Sequence, residues 1–178
     1  MAVRKLTVVA MLTALICIVG PLTLPVGPIP VSLTSAVLLL TACLLGGRRA
    51  ALCAGVYLLI GLTGLPVLAG FTGGAARLLG PTGGFLLGYL PLAGVAGAVC
   101  TRTERRVLQA GGMLLGLAAL YTLGTGWYCL QAGVSLSGAL TVCVWPFLPF
   151  EGVKLAAVLL TAPSIRRRLV RAGLLKPS

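Results

Sequence analysis

The stretch Gly83-Gly84-Phe85-Leu86-Leu87-Gly88-Tyr89-Leu90-Pro91-Leu92-Ala93-Gly94-Val95-Ala96-Gly97-Ala98-Val99-Cys100 carries no charge, and Thr101-Arg102-Thr103-Glu104-Arg105-Arg106 follows it at once. As a helix, such a stretch is about 27 Å long, close to the ~30 Å of hydrocarbon in a bilayer. Arginines clustered directly after it mark a segment that leaves the membrane on the cytoplasmic side. Working outward, further apolar runs occupy residues 6–20, 31–45, 50–64, 107–130 and 146–162, which makes six in all. Arg4 and Lys5 precede the first run, Arg48 and Arg49 join the second to the third, and Arg166, Arg167, Arg168, Arg171 and Lys176 follow the last. With both termini cytoplasmic, an even number of spans puts every one of these clusters on one side of the membrane.

The whole chain agrees. Its 178 residues are 58% hydrophobic and only 9% charged, far from the balance of a soluble domain. The net charge of +12 does not indicate nucleic acid, because the basic residues sit in clumps between apolar runs and are not spread over a polar surface. The expected class is an all-α integral membrane protein of six transmembrane helices, a single domain over residues 1–178, in the cytoplasmic membrane. The opening 20 residues have the basic start and apolar middle of a secretory signal, but no small-x-small cleavage pattern follows, so they read as the first helix.

The outward connections are long and rich in helix breakers. Pro21, Pro25, Pro28 and Pro30 occupy the first; Gly61, Gly64, Pro66, Gly70, Gly73, Gly74, Gly80 and Pro81 occupy the second. Irregular backbone at membrane depth is tolerated only where protein buries it or a cavity lines it, so these loops are expected to close a ligand pocket on the outer face. Catalysis is not expected: there is no His, only two acidic residues, no phosphate-binding loop, and no cluster at metal-ligand spacing. The six cysteines, Cys17, Cys43, Cys53, Cys100, Cys129 and Cys143, are scattered singly and read as small buried hydrophobes.

Of the 14 Lys and Arg residues, only Arg77 and Lys154 lie outside the termini and the two short basic loops. An ionisable group inside an apolar stretch is costly and usually marks a ligand or ion path. In Pro146-Phe147-Leu148-Pro149-Phe150-Glu151-Gly152-Val153-Lys154, two prolines suit the first turn of a new helix. Glu151 then stands near a positive helix end, and Lys154 falls on the same face. Either the two neutralise one another so that the helix can be inserted, or they present an acceptor and a donor to a polar ligand. Arg77 lies in a loop with Gly73, Gly74, Gly80, Gly83 and Gly84. There the backbone can approach a ligand closely, and a guanidinium suits a carboxylate.

Gly64-Leu65-Pro66-Val67, Ala69-Gly70, Gly73-Gly74 and Arg77-Leu78-Leu79-Gly80-Pro81-Thr82-Gly83-Gly84-Phe85 together resemble the BioY family, the biotin-binding membrane subunits of energy-coupling-factor transporters. Pro28-Ile29-Pro30-Val31-Ser32-Leu33 is similar to that family's early proline-rich segment, Tyr57-Leu58-Leu59 to its third helix, and Pro149 to Lys154 to its acidic-x-x-Lys motif. Thr34 stands where the family pattern has Gln, Phe85 where it has Tyr, and Glu151 where Asp is usual.

The resemblance implies six helices around one biotin near the outer face. Glu151 and Lys154 match the N–H donors and the carbonyl of the ureido ring, and Arg77 matches the valerate carboxylate. Phe85, Tyr89, Trp127 and Trp145 are candidates for the apolar walls, with Gly73 and Gly74 in the loop over them. It also implies a transmembrane coupling subunit and two ATPase subunits as partners, with ATP bound only there, and no cofactor on this chain. Ala10-Met11-Leu12-Thr13-Ala14 is a small-x-x-x-small pattern that admits a close helix; it serves either docking to the coupling subunit or packing within the bundle. Two other readings stay open: a subunit of the same architecture for another small vitamin, and a small integral-membrane enzyme using Glu151 and Lys154 for acid–base work.

Overall fold

The computed structural model describes residues 2–24 and 31–174. Eight helices occur among them: α1 Ala2–Val19, α2 Thr34–Leu45, α3 Gly47–Leu62, α4 Ala75–Leu79, α5 Gly83–Cys100, α6 Arg106–Ala132, α7 Leu136–Cys143 and α8 Leu148–Arg171. Two short strands, β1 Thr23–Leu24 and β2 Val31–Ser32, pair antiparallel between α1 and α2. The six apolar runs coincide with α1, α2, α3, α5, α6 and α8. Among the described residues, α5, α6 and α8 are long and apolar enough to cross a membrane, and Leu6–Val19 and Thr34–Leu45 form shorter apolar helices. Residues 25–30 of the proline-rich connection and Lys176 lie outside the described residues.

The structure amends the sequence reading in three places. Arg166, Arg167, Arg168 and Arg171 do not follow the last helix but form its end, because backbone hydrogen bonding continues past the apolar run and basic side chains suit the negative end of a helix dipole. Arg77 lies in α4, a helix of 5 residues, and not in an irregular loop. Residues 136–143, which no apolar run announced, form α7, with Ser135 Oγ accepting from Gly138 N at its start.

Helix α5 is the axis of the bundle, packing on α2, α3, α4 and α6. In lipid no hydrophobic drive holds helices together, so contact depends on close approach over small residues. Gly46 alone joins α2 to α3, in a left-handed turn (φ 81°). A Cβ at Gly97 would strike Gly47 N and stand 2.7 Å from Gly46 C, and one at Gly47 would strike Gly94 O. The core beside this contact contains Ala50, Cys53, Ala93, Ala96 and Cys100, each fully buried. Outside, Met11, Ile18, Leu52, Leu59, Leu114 and Leu160 are exposed, the inverse of a water-soluble surface.

This packing predicts a contrast between two neighbouring glycines. Gly97→Ala should destabilise the detergent-solubilised protein by about 1–3 kcal/mol through overpacking. At Gly94 an added Cβ meets nothing within 4 Å, so Gly94→Ala should leave stability unchanged or raise it by roughly 0.5–1 kcal/mol. Thermal unfolding of the two variants side by side checks the assignment.

Candidate functional site

The chain begins α8 with Pro at its second position and Glu151 in its first turn, where the missing proline N–H costs nothing and a carboxylate is favoured. Glu151 and Lys154 are buried, at 6% and 7% exposure. Burying an ion without partners costs several kcal/mol, and the fold supplies partners from the other end of the sequence. Lys154 Nζ donates to Glu151 Oε1 at 2.8 Å, to Ser35 Oγ at 3.0 Å and to the Ser32 carbonyl at 2.6 Å. Ser35 Oγ donates in turn to Glu151 Oε1 at 3.1 Å and Oε2 at 3.4 Å, and Tyr121 OH donates to Oε1 at 3.4 Å.

Counting donors and acceptors separates the two charged residues. All three ammonium hydrogens of Lys154 are engaged inside the protein. Glu151 Oε1 takes three donors, whereas Oε2 has one long contact, from Ser35. Oε2 therefore keeps acceptor capacity. Glu151 lines a cavity of about 60 Å³ with Ser32, Ser35, Phe85, Tyr89, Leu120, Tyr121 and Phe147. That volume holds a few waters and is well below the ~300 Å³ at which small-molecule pockets begin.

The cavity walls are aromatic and mutually braced. Phe85 and Tyr121 meet edge to face with centroids 6.0 Å apart, and Tyr121 and Phe147 lie 6.4 Å apart. Tyr89, 7% exposed, stands 6.4 Å from Tyr57, whose hydroxyl donates to the Val67 carbonyl. One turn beyond Tyr121 on α6, Thr125 Oγ1 is the buried side-chain polar atom without a partner among the described residues.

The structure thus brings together Glu151, Lys154, Phe85 and Tyr89. Trp145 does not line this cavity: it is 66% exposed, while Phe147, two residues on in the same turn, is 6% exposed and takes the inward position. Trp127 does not line it either; its Nε1 donates to the Gly80 carbonyl at 3.0 Å, tying α6 to the turn before α5. Gly73 and Gly74 form the turn that seats α4. Gly74 takes φ 93° and donates its N–H to the Gly61 carbonyl at 2.8 Å, and a Cβ at Gly73 would strike the Leu65 carbonyl. Arg77 is half-buried on α4, outside the cavity lining, and its guanidinium makes no ion pair or hydrogen bond among the described residues. Sequence reasoning missed Ser32, Ser35, Tyr121 and Phe147. The Ser32, Thr34 and Ser35 group at the start of an apolar run was the available signal.

Lys154→Met should destabilise the protein by about 3–5 kcal/mol, since it leaves the Glu151 carboxylate buried without its cation. Lys154→Met combined with Glu151→Leu should recover most of that loss. Unfolding midpoints of the single and double variants decide whether the two residues act as a pair.

The BioY family model matches residues 1–171. The biotin transporter BioY of Thermotoga maritima is 34% identical over 165 residues, covering 92% of this chain and 96% of its own. The biotin transporter BioY of Rhodobacter capsulatus is 35% identical over 177 residues, covering 91% and 93%. Among solved structures, the crystal structure at 2.1 Å of the S-component for biotin from an ECF-type ABC transporter matches with a TM-score of 0.85 at 29% identity, covering 93% of this chain and 92% of that one.

Proposed function

The chain belongs to the BioY family, and from that premise we propose that it binds biotin and serves as the substrate-specificity subunit of an energy-coupling-factor transporter. The observation that carries this reading is the buried Glu151, held by Lys154, Ser35 and Tyr121 with Oε2 available at an aromatic-walled cavity. A ureido ring offers N–H groups to such an oxygen, and the thiophane ring suits Phe85, Tyr89, Tyr121 and Phe147. Lys154 holds Glu151 Oε1 in place through their 2.8 Å contact, and it reaches the ureido carbonyl by exchanging its bond to the Ser32 carbonyl. The valerate carboxylate goes toward Arg77, whose helix α4 leads through the 80–82 turn into α5 and Phe85. A cavity of about 60 Å³ must widen for this ligand.

In this reading α1, α2, α3, α5, α6 and α8 span the membrane, both termini are cytoplasmic, and the site lies at the outer end. Helix α2, with 12 residues, is only about 18 Å long. Nine of its residues are buried, so protein and not lipid surrounds the backbone at its ends. Binding needs neither ATP nor metal, because every proposed contact comes from the chain. Uphill uptake takes its energy from partners, a transmembrane coupling subunit and two ATPases. Ala10 and Ala14 are exposed on α1 beside Met11, whereas Val9, Thr13 and Ile16 are buried, which leaves the small-x-x-x-small face open to a partner helix.

Calorimetry on the purified chain, with mass identification of any co-purified molecule, tests the assignment. Biotin should bind and raise the melting temperature. A folded sample that ignores biotin sinks the reading, and a different vitamin in its place replaces the ligand. Glu151→Gln should weaken biotin by about 2–4 kcal/mol, roughly 30-fold to 1000-fold. Arg77→Ala should weaken biotin strongly and biotin amide hardly at all; equal losses for acid and amide would remove Arg77 from the valerate end.

Replacing Ala10 or Ala14 by Trp should abolish biotin uptake in cells while leaving binding by the purified chain intact, through steric exclusion of the coupling subunit. Joint loss of uptake and binding would assign the pattern to packing within the bundle.

A further inference from the structure

A second cavity, larger than the one at Glu151, lies at the opposite end of the bundle, and nothing in the transport reading uses it. It measures about 460 Å³, within the range of small-molecule sites. Arg106 and Gln109 of α6 and Arg166, Arg167 and Arg171 of α8 line it, with Glu104 from the preceding turn. Four guanidiniums therefore face one carboxylate across a single space. Among the described residues, none of the four has an ion pair or a side-chain hydrogen bond. Arg167 and Arg171 stand four apart on one helix face, where like charges repel. Helix α6 begins at Arg106 with no side-chain cap, so its first backbone N–H groups add positive potential at the same place.

An anion relieves this arrangement, and the rest of the lining says what kind. Cys43 and Ala162 are buried, and Pro163 and Val170 add further apolar wall. Within about three turns along α8, the exposed surface changes from Leu160 to Arg167 and Arg171. A ligand here meets cations at one end and an apolar helix surface at the other. Guanidinium forks match phosphate oxygens in pairs, and basic pockets between helices at the cytoplasmic leaflet are suited to phospholipid head groups.

We propose that this cavity binds the phosphate of an anionic phospholipid, held by Arg106, Arg166, Arg167 and Arg171 between α6 and α8. The lipid fixes the inner ends of these two helices, which carry Tyr121 and Glu151 nearer their other ends. Only the assignment to the cytoplasmic leaflet rests on the proposed orientation.

Native mass spectrometry of the purified full chain, titrated with phosphatidylglycerol, phosphatidylcholine or inorganic phosphate, tests the site. Phosphatidylglycerol should bind at least about tenfold more tightly than phosphatidylcholine. Arg106→Gln/Arg166→Gln/Arg171→Gln should reduce that binding by at least about tenfold, given the weight of each basic residue near an anionic lipid. Biotin binding, measured separately, reports that the variant is folded and is independent of the lipid result. If the triple variant does not fold, the exposed single reversal Arg171→Glu should still lower phosphatidylglycerol binding. Equal binding of the two lipids, or unchanged binding in the folded variants, overturns the proposal. Displacement of the lipid by inorganic phosphate at comparable concentration overturns its lipid source and leaves a soluble phosphate as the ligand.

Discussion

A carboxylate and an ammonium inside an apolar bundle must find partners for every lone pair and hydrogen, and one end of this structure is arranged around that demand. Glu151 and Lys154 are one helical turn apart and satisfy part of it alone. The remainder comes from Ser32 and Ser35, 122 and 116 residues away along the chain. Bringing these serines to α8 fixes where β2 ends, where α2 begins and how α2 lies against α8. The same bonds leave Glu151 with one oxygen underused, so the network that stabilises the pair also presents a strong acceptor at the cavity.

The helices around this network cannot rely on hydrophobic exclusion, because the lipid outside is as apolar as the interior. Contact between α3 and α5 is instead a matter of shape. Gly47 and Gly97 let two backbones approach where any side chain at either would separate them. Helix α5 touches four other helices because so many of its buried positions are glycine or alanine. Phe85 and Tyr89 are its two aromatic residues that face the cavity. Close packing at one end and bulky aromatics at the other place the cavity at the aromatic end.

The two ends of the bundle therefore differ in both charge and shape. One holds a compensated ion pair behind aromatic rings, in a space of about 60 Å³; the other holds four arginines and one glutamate around about 460 Å³. Helices α6 and α8 run between them, antiparallel, and each contributes a residue to both sites.

The sequence by itself determined the class, the positions of the apolar runs and the pairing of Glu151 with Lys154. Each of these depends on composition or on neighbours within one turn. It could not say which residues face the cavity. The apolar helices α2 and α5 are hydrophobic on every side, so no periodicity distinguishes a face toward lipid from a face toward protein. Trp127 and Tyr121 share α6, and Trp145 and Phe147 share the turn before α8, so aromatic character alone does not tell a cavity wall from its neighbour. Tertiary structure decided it, since only the placement of α2, α6 and α8 around α5 gives Ser35, Tyr121 and Phe147 a common space. It also decided that Lys154 is spent within the protein and Glu151 is not, because the count of hydrogen bonds depends on groups that arrive from over a hundred residues away.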